Sequence, residues 1–274
     1  MASSLMQQLA ETVAYIKSVY AGTPEVGIVL GSGLGNLASE IEVEQAIAYS
    51  DIPHFPVSTV VGHSGKLLLG KLNGKTVAVM AGRFHYYEGY AAQQVIYPIR
   101  VMKMLGVHTM LLSNAAGGVG EGFRVGDLMI INDHISFFTV NPLIGKNEES
   151  FGTRFPDMTE PYSKALISKA KNIAGRLNIA LQEGVYCAVT GPTFETKAEY
   201  KLIKIAGAHA VGMSTVQEVI AAVHAGMKVF AVSVITDLGI REEENAITHE
   251  EVLAAANEAG PKLTMLFKEM VKEL

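Results

Sequence analysis

A recurring pattern constrains this chain most strongly: short strand-type apolar runs, each emptying into a loop of small or polar residues. Residues 26–30 run into Gly31, Ser32, Gly33, Leu34 and Gly35. Residues 75–80 run into Gly82, Arg83, Phe84, His85, Tyr86, Tyr87, Glu88, Gly89 and Tyr90. Residues 107–112 lead to a small-residue loop over 113–118, 184–189 lead to Thr190, Gly191 and Pro192, and a last strand over 228–236 stops at Asp237. A further strand is expected at 127–131. Between these runs, apolar residues at helical spacing predict helices over 4–20, 91–105 and 162–176. Strand and helix alternate, so the chain is α/β. Asn73–Gly74, between runs at 66–72 and 75–80, is a hairpin signal. The central sheet is therefore expected to be mixed, with helices on both faces. No linker tract, internal repeat or compositional break divides the chain, and 1–274 is read as a single domain.

In such sheets ligands gather at the carboxyl ends of strands, so these loops are the candidate site. The stretch 190–222 sits at its centre. Thr196 and Glu199 are spaced as a capping box, as are Thr248 and Glu251. Ser214 with Gln217, or Thr215 with Glu218, could cap a second helix after Gly212 and Met213. A helix start carrying a hydroxyl favours an anion through unpaired N–H groups and the dipole, although most such boxes are purely structural. The polar cluster after residue 80, with one Arg, one His, three Tyr and one Glu in nine residues, is denser than aromatic surface packing needs. The loop 141–160 is long and polar, a length that usually signals function or an interface.

The whole-chain numbers exclude several classes. The chain has 274 residues, 49% hydrophobic, with formal net charge −5, and no basic cluster, which argues against nucleic acid or an anionic membrane as partner. Its single cysteine, Cys187, precludes an intrachain disulfide, and a cytoplasmic location is expected. The N-terminus has helical spacing with acidic residues, unlike a secretory signal, and no run reaches membrane-span length. Neither His–x–x–x–His nor a Cys pair suggests a metal. His54, His108, His134, His209 and His224 are read as structural, and Tyr86 and Tyr90 as packing residues. The loop Gly31–Gly35 resembles a dinucleotide fingerprint, but its third glycine falls one position early. An oxidoreductase would leave Arg83, His85 and Glu195 unexplained. A non-catalytic nucleoside- or phosphate-binding protein would keep the pocket and release its ligand intact.

Eight motifs occur in order: GSGLG, VGHSGKL, GRFHYYEGY, SNAAGG, FGTRFPDM, GPTFET, AVGMSTVQEV and HEEVLAA. Together they resemble the trimeric purine nucleoside phosphorylase family, from about Val26 to the C-terminal helix. The resemblance implies a single α/β domain, a homotrimer, and phosphorolysis of purine nucleosides with inorganic phosphate as co-substrate and no cofactor. It implies that Ser32, His63, Arg83, His85, the Ala115 backbone and Ser214 hold phosphate. Tyr87, Met213 and His249 would line the ribose, with Phe155 covering the sugar of the neighbouring subunit. Phe194, Glu195, Val211 and Asp237 would hold the base. Of these, His85, Glu195 and Asp237 are the expected catalytic residues. The chain departs from the pattern at Asp237, where members preferring 6-oxopurines carry Asn. An Asn amide can both donate to O6 and accept from N7–H, whereas an ionised carboxylate only accepts. Relatives acting on methylthioadenosine carry Asp there but lack Glu195 and His249, both of which this chain keeps.

Overall fold

The computed structural model describes residues 4–60, 64–240 and 247–274. In chain order the elements are α1 (Leu5–Val19), β1 (Val26–Leu30), β2 (Glu42–Ala48), β3 (Lys66–Leu72), β4 (Lys75–Ala81), α2 (Ala92–Val95), α3 (Tyr97–Leu105), β5 (Thr109–Gly118), β6 (Leu128–Phe138), α4 (Lys164–Leu177), β7 (Leu181–Val189), α5 (Lys197–Ile205), β8 (Ala210–Gly212), α6 (Val216–His224), β9 (Lys228–Leu238) and α7 (His249–Lys272). One mixed sheet of nine strands, in the order β2-β3-β4-β1-β5-β8-β7-β6-β9, forms the centre. Helices flank it in two groups, with α1, α2, α3 and α6 in mutual contact and α7 packing on α4 and β9.

The expected hairpin is present: β3 and β4 pair antiparallel, and Asn73 and Gly74 both take positive φ, as a two-residue hairpin turn requires. β1 lies between β4 and β5, parallel to both, and all five of its residues are buried. That explains its unbroken apolar run.

Three departures from the sequence reading matter for the site. First, residues 113–118 are not a loop. β5 continues through them to Gly118 because its last residues are paired on both sides, with β8 antiparallel and β9 parallel. This additional β5–β9 pairing closes β5, β8, β7, β6 and β9 into a ring. Small residues are what allow two strands to crowd so short a segment. A Cβ on Gly117 would stand 3.0 Å from an Asp237 carboxylate oxygen and 3.6 Å from Val211. Second, the helix expected over 91–105 is divided at Ile96, and α3 restarts with Pro98 in its first turn, where a missing N–H costs nothing. Third, β6 runs on to Phe138, and β2, whose outer face is mostly exposed, had no clear apolar signal in the sequence.

Candidate functional site

A cleft of about 520 Å³ opens beside the paired end of β5. β1, β4, β5 and β9 all point their carboxyl ends toward it, while β8 enters from the opposite direction alongside Gly117 and Gly118. Its walls hold Ser32, Arg83, His85, Tyr87, Ala115, Phe194, Glu195, Val211, Met213, Ser214, Asp237 and His249. Residues drawn from seven separated stretches of the sequence thus meet in one cavity. Two expected members are not among them. His63 lies outside the described residues. Phe155 is 88% exposed and lines a separate surface depression with His134, Asn141 and Ile144, so this chain does not bring it to its own cleft.

The glycine loop after β1 has a specific packing reason. A Cβ on Gly31 would lie 2.8 Å from the Ser113 carbonyl oxygen and 2.9 Å from Asn114 Cα, so only glycine lets Ser32 pass this close to β5. The loop then leads into a 3-10 turn, Gly35–Glu40, rather than the α-helix that a dinucleotide fingerprint must open. The oxidoreductase reading fails on that geometry.

Arg83 is 1% exposed. Its Nε donates to Glu218 Oε1 at 3.1 Å and its Nη2 to Glu218 Oε2 at 2.6 Å, while Nη1 donates to the Ser113 carbonyl. Three of the five guanidinium N–H groups are therefore spent inside the protein, which leaves at most two for an anion. Glu218, read from sequence only as a cap, is drawn instead to an arginine 135 residues away. No capping box starts α6: Thr215 makes no side-chain cap bond. By contrast, the boxes at Thr196–Glu199 and Thr248–Glu251 are both formed.

Beside Arg83, the His85 ring stacks on Tyr87 with centroids 4.7 Å apart. Its Nδ1 lies 3.1 Å from Glu88 Oε1, which also accepts from the His85 backbone N–H at 2.8 Å. Glu88 Oε2 accepts from the Thr59 backbone and hydroxyl at 2.8 and 2.7 Å. One carboxylate thereby ties the 57–60 strap to the cleft wall. Burial holds the His85 imidazole below its usual 6.5, against the pull of Glu88. Burial would raise Glu88, but its hydrogen bonds from His85 and Thr59 outweigh that and hold it at about 2. A neutral His85 donating Nδ1–H to Glu88 presents Nε2 to the cleft as an acceptor, and protonation there would turn it into a donor.

At the other end, a bulge in β9 aims Asp237. Ala116 pairs with Ile235 but Gly117 pairs with Asp237, so Thr236 is an extra residue. Consecutive strand residues ordinarily face opposite sides. The bulge lets both Thr236 and Asp237 line the cleft, and the Thr236 hydroxyl donates to Asp237 Oδ1 at 3.1 Å. Burial, with the charges of Asp237 and Glu199, pushes the Glu195 carboxyl above its usual 4.5, opposed by a hydrogen bond from Tyr200. One end of the cleft thus gathers a guanidinium, an imidazole and the Ser32 and Ser214 hydroxyls, with Glu218 and Glu88 paired to the first two, while the other carries two carboxylates beside Phe194 and Val211. Sequence reasoning missed Thr59 and Asn114, and read Thr215 and Glu218 only as a cap. Each acts by touching a residue remote in sequence, which local spacing does not show.

Among the described residues, no helix is long and apolar enough to cross a membrane, and no group of three or more His, Cys, Asp or Glu could hold a metal ion. A family model described as the phosphorylase superfamily matches residues 25–272. The chain is 49% identical over 266 residues to purine nucleoside phosphorylase 1 of Geobacillus stearothermophilus, covering 97% of both. Isoform 2 of purine nucleoside phosphorylase from Schistosoma mansoni, solved with cytosine and ribose-1-phosphate, matches with a TM-score of 0.93 at 43% identity, over 98% of this chain and 96% of that one. Schistosoma mansoni purine nucleoside phosphorylase in complex with inosine gives a TM-score of 0.93 at 39% identity, over 98% and 97%.

Proposed function

The chain belongs to the phosphorylase superfamily, within its purine nucleoside phosphorylase family, and we propose that it cleaves purine nucleosides with inorganic phosphate. The observation that carries this reading is the make-up of one cleft: an end rich in N–H and O–H donors, with Arg83, His85, Ser32 and Ser214, and an end that carries the Glu195 and Asp237 carboxylates. Phosphate lies among Ser32, Arg83, His85, the Ala115 backbone and Ser214. Ribose lies against Tyr87, Met213 and His249. The purine lies between Phe194 and Val211 and is read by Glu195 and Asp237. In the reaction the C1′–N9 bond breaks, its electron pair leaves with the purine, and a phosphate oxygen forms the new bond to C1′. The sugar passes through an oxocarbenium-like state that the phosphate charge stabilises. Glu195 accepts from N1–H of a 6-oxopurine; N7 takes up a proton from solvent as the base departs, and Asp237 accepts from the N7–H so formed. Phosphate is a co-substrate, and the site calls for no cofactor.

Phe155 belongs to a neighbour's site in a homotrimer. Its 88% exposure, in one depression with Leu143, Met158 and Ile144 at 63%, gives an apolar face suited to a second copy of the chain. Sedimentation showing an active monomer would remove this part of the reading. The activity is tested by measuring base release from inosine, guanosine, adenosine and methylthioadenosine in parallel, with and without phosphate. Release of base from inosine or guanosine only when phosphate is present is the expected result. Binding without base release would identify a carrier instead, and a marked preference for methylthioadenosine would reassign the substrate.

A further inference from the structure

Directly behind Ser214, Thr215 adopts φ 72 and ψ −52, and the Val216 N–H donates to the Ser214 carbonyl at 2.8 Å. This is a γ-turn with positive φ at its centre, a rare and strained geometry, and a β-branched residue is poorly suited to it. Starting a helix does not require it. The caps of α5 and α7, Thr196 and Thr248, are extended and bond the helix in the usual way. The turn instead sends the Thr215 hydroxyl inward. Thr215 is 2% exposed, its Oγ1 accepts from Asn114 Nδ2 at 2.9 Å, and it lies 3.0 Å from Ser214 Oγ. Backbone strain at a cleft wall persists only where its surroundings enforce it.

Counting protons gives these contacts a direction. The Asn114 amide nitrogen can only donate, so Thr215 Oγ1 accepts there, and of its two hydrogen-bond partners only Ser214 Oγ can take the Thr215 proton. Ser214 Oγ then accepts from Thr215, and its own proton points away from Thr215, toward the cleft that Ser214 lines. Asn114 is itself buried, and its Oδ1 has no hydrogen-bond partner among the described residues. We propose that Asn114 and Thr215 are positioning residues, a one-way hydrogen-bond relay that presets the Ser214 hydroxyl as a donor to an acceptor oxygen of the phosphate. An unaligned serine rotor could equally present its lone pairs, which would repel the anion.

The proposal rests on the reading of Ser214 as a phosphate ligand, and the test separates the two. Initial rates are measured against phosphate and against inosine for Ser214→Ala, Thr215→Val, the double variant and Thr215→Ser. Ser214→Ala should raise KM for phosphate about tenfold or more, as for loss of a hydrogen bond to a charged group. Thr215→Val should raise it about three- to tenfold while leaving KM for inosine unchanged. The double variant should be no worse than Ser214→Ala alone, because the relay acts only through that hydroxyl. Thr215→Ser, which keeps the hydroxyl, should restore the wild-type value. If Thr215→Val does not fold, Thr215→Ala carries the same test without a β-branch at this φ. A rise with Ser214→Ala but none with Thr215→Val, or additive losses in the double variant, overturns the relay and spares the functional reading. An unchanged phosphate KM in Ser214→Ala overturns the assignment of Ser214 and the relay together.

Discussion

Glu218→Gln is the substitution whose consequences the structure makes most definite. Arg83 and Glu218 form a two-bond ion pair with side-chain exposures of 1% and 3%. Screening by water is therefore minimal. Glutamine keeps the shape, but its amide nitrogen is a donor and replaces one of the two acceptors facing the guanidinium. Breaking a buried pair by removing one partner costs ~3–5 kcal/mol, because the other charge stays buried. The retained amide oxygen argues for the lower end, about 3 kcal/mol. For chains of this size about 2–4 °C is lost per kcal/mol, so Tm should fall by about 6–12 °C. The same variant should respond more strongly to phosphate than wild type does, since a bound anion next to Arg83 supplies part of the missing countercharge. Thermal denaturation with and without phosphate reads both effects. An unchanged Tm would show that the pair contributes nothing net. A Tm drop without an enhanced phosphate response would place the anion away from Arg83.

Four other outcomes are expected. Glu195→Ala should lower kcat/KM for inosine roughly 10- to 150-fold through loss of a charged hydrogen bond worth about 1.5–3 kcal/mol. Because burial and the charges of Asp237 and Glu199 raise its carboxyl, wild-type activity should fall on acidification from above pH 4.5, and steady-state profiles of Glu195→Gln should lack that limb. Asp237→Asn should shift preference from adenosine toward inosine, since an amide can donate to O6; an unchanged inosine-to-adenosine ratio would show that Asp237 does not read position 6. Glu88→Gln should destabilise the protein by about 2–3 kcal/mol at neutral pH. Its folded pKa of about 2 lies below the usual 4.5, so this contribution is fully present above pH 4.5 and is lost as pH falls toward 2. Denaturant midpoints of the variant and wild type should therefore converge in acid.

Much of this molecule was legible where residues act locally. The Asn73–Gly74 hairpin and the capping boxes at Thr196 and Thr248 depend on neighbours within four residues, and all three form. Most of the cleft was legible through the motifs and the end of the last strand, which grouped Arg83, Glu195, Ser214, His249 and Asp237, although the same motifs named Phe155, which this chain keeps out of its own cleft. What local pattern could not show was competition. Glu218 has the spacing of a cap, yet a buried guanidinium is the stronger partner. Ser113, Asn114, Ala115, Ala116, Gly117 and Gly118 have the composition of a turn, yet pairing on both edges holds them as strand. The strand bulge that aims Asp237 is likewise set by register with β5, not by any residue of β9 alone.

The central claim is that phosphate, and not water, takes the sugar. Following inosine and inorganic phosphate by 31P NMR in the presence of the protein tests it most directly. The account predicts a growing ribose 1-phosphate resonance equal in amount to the hypoxanthine released, and no base release when phosphate is omitted. Hypoxanthine formed at the same rate without phosphate, with free ribose as the product, would contradict it.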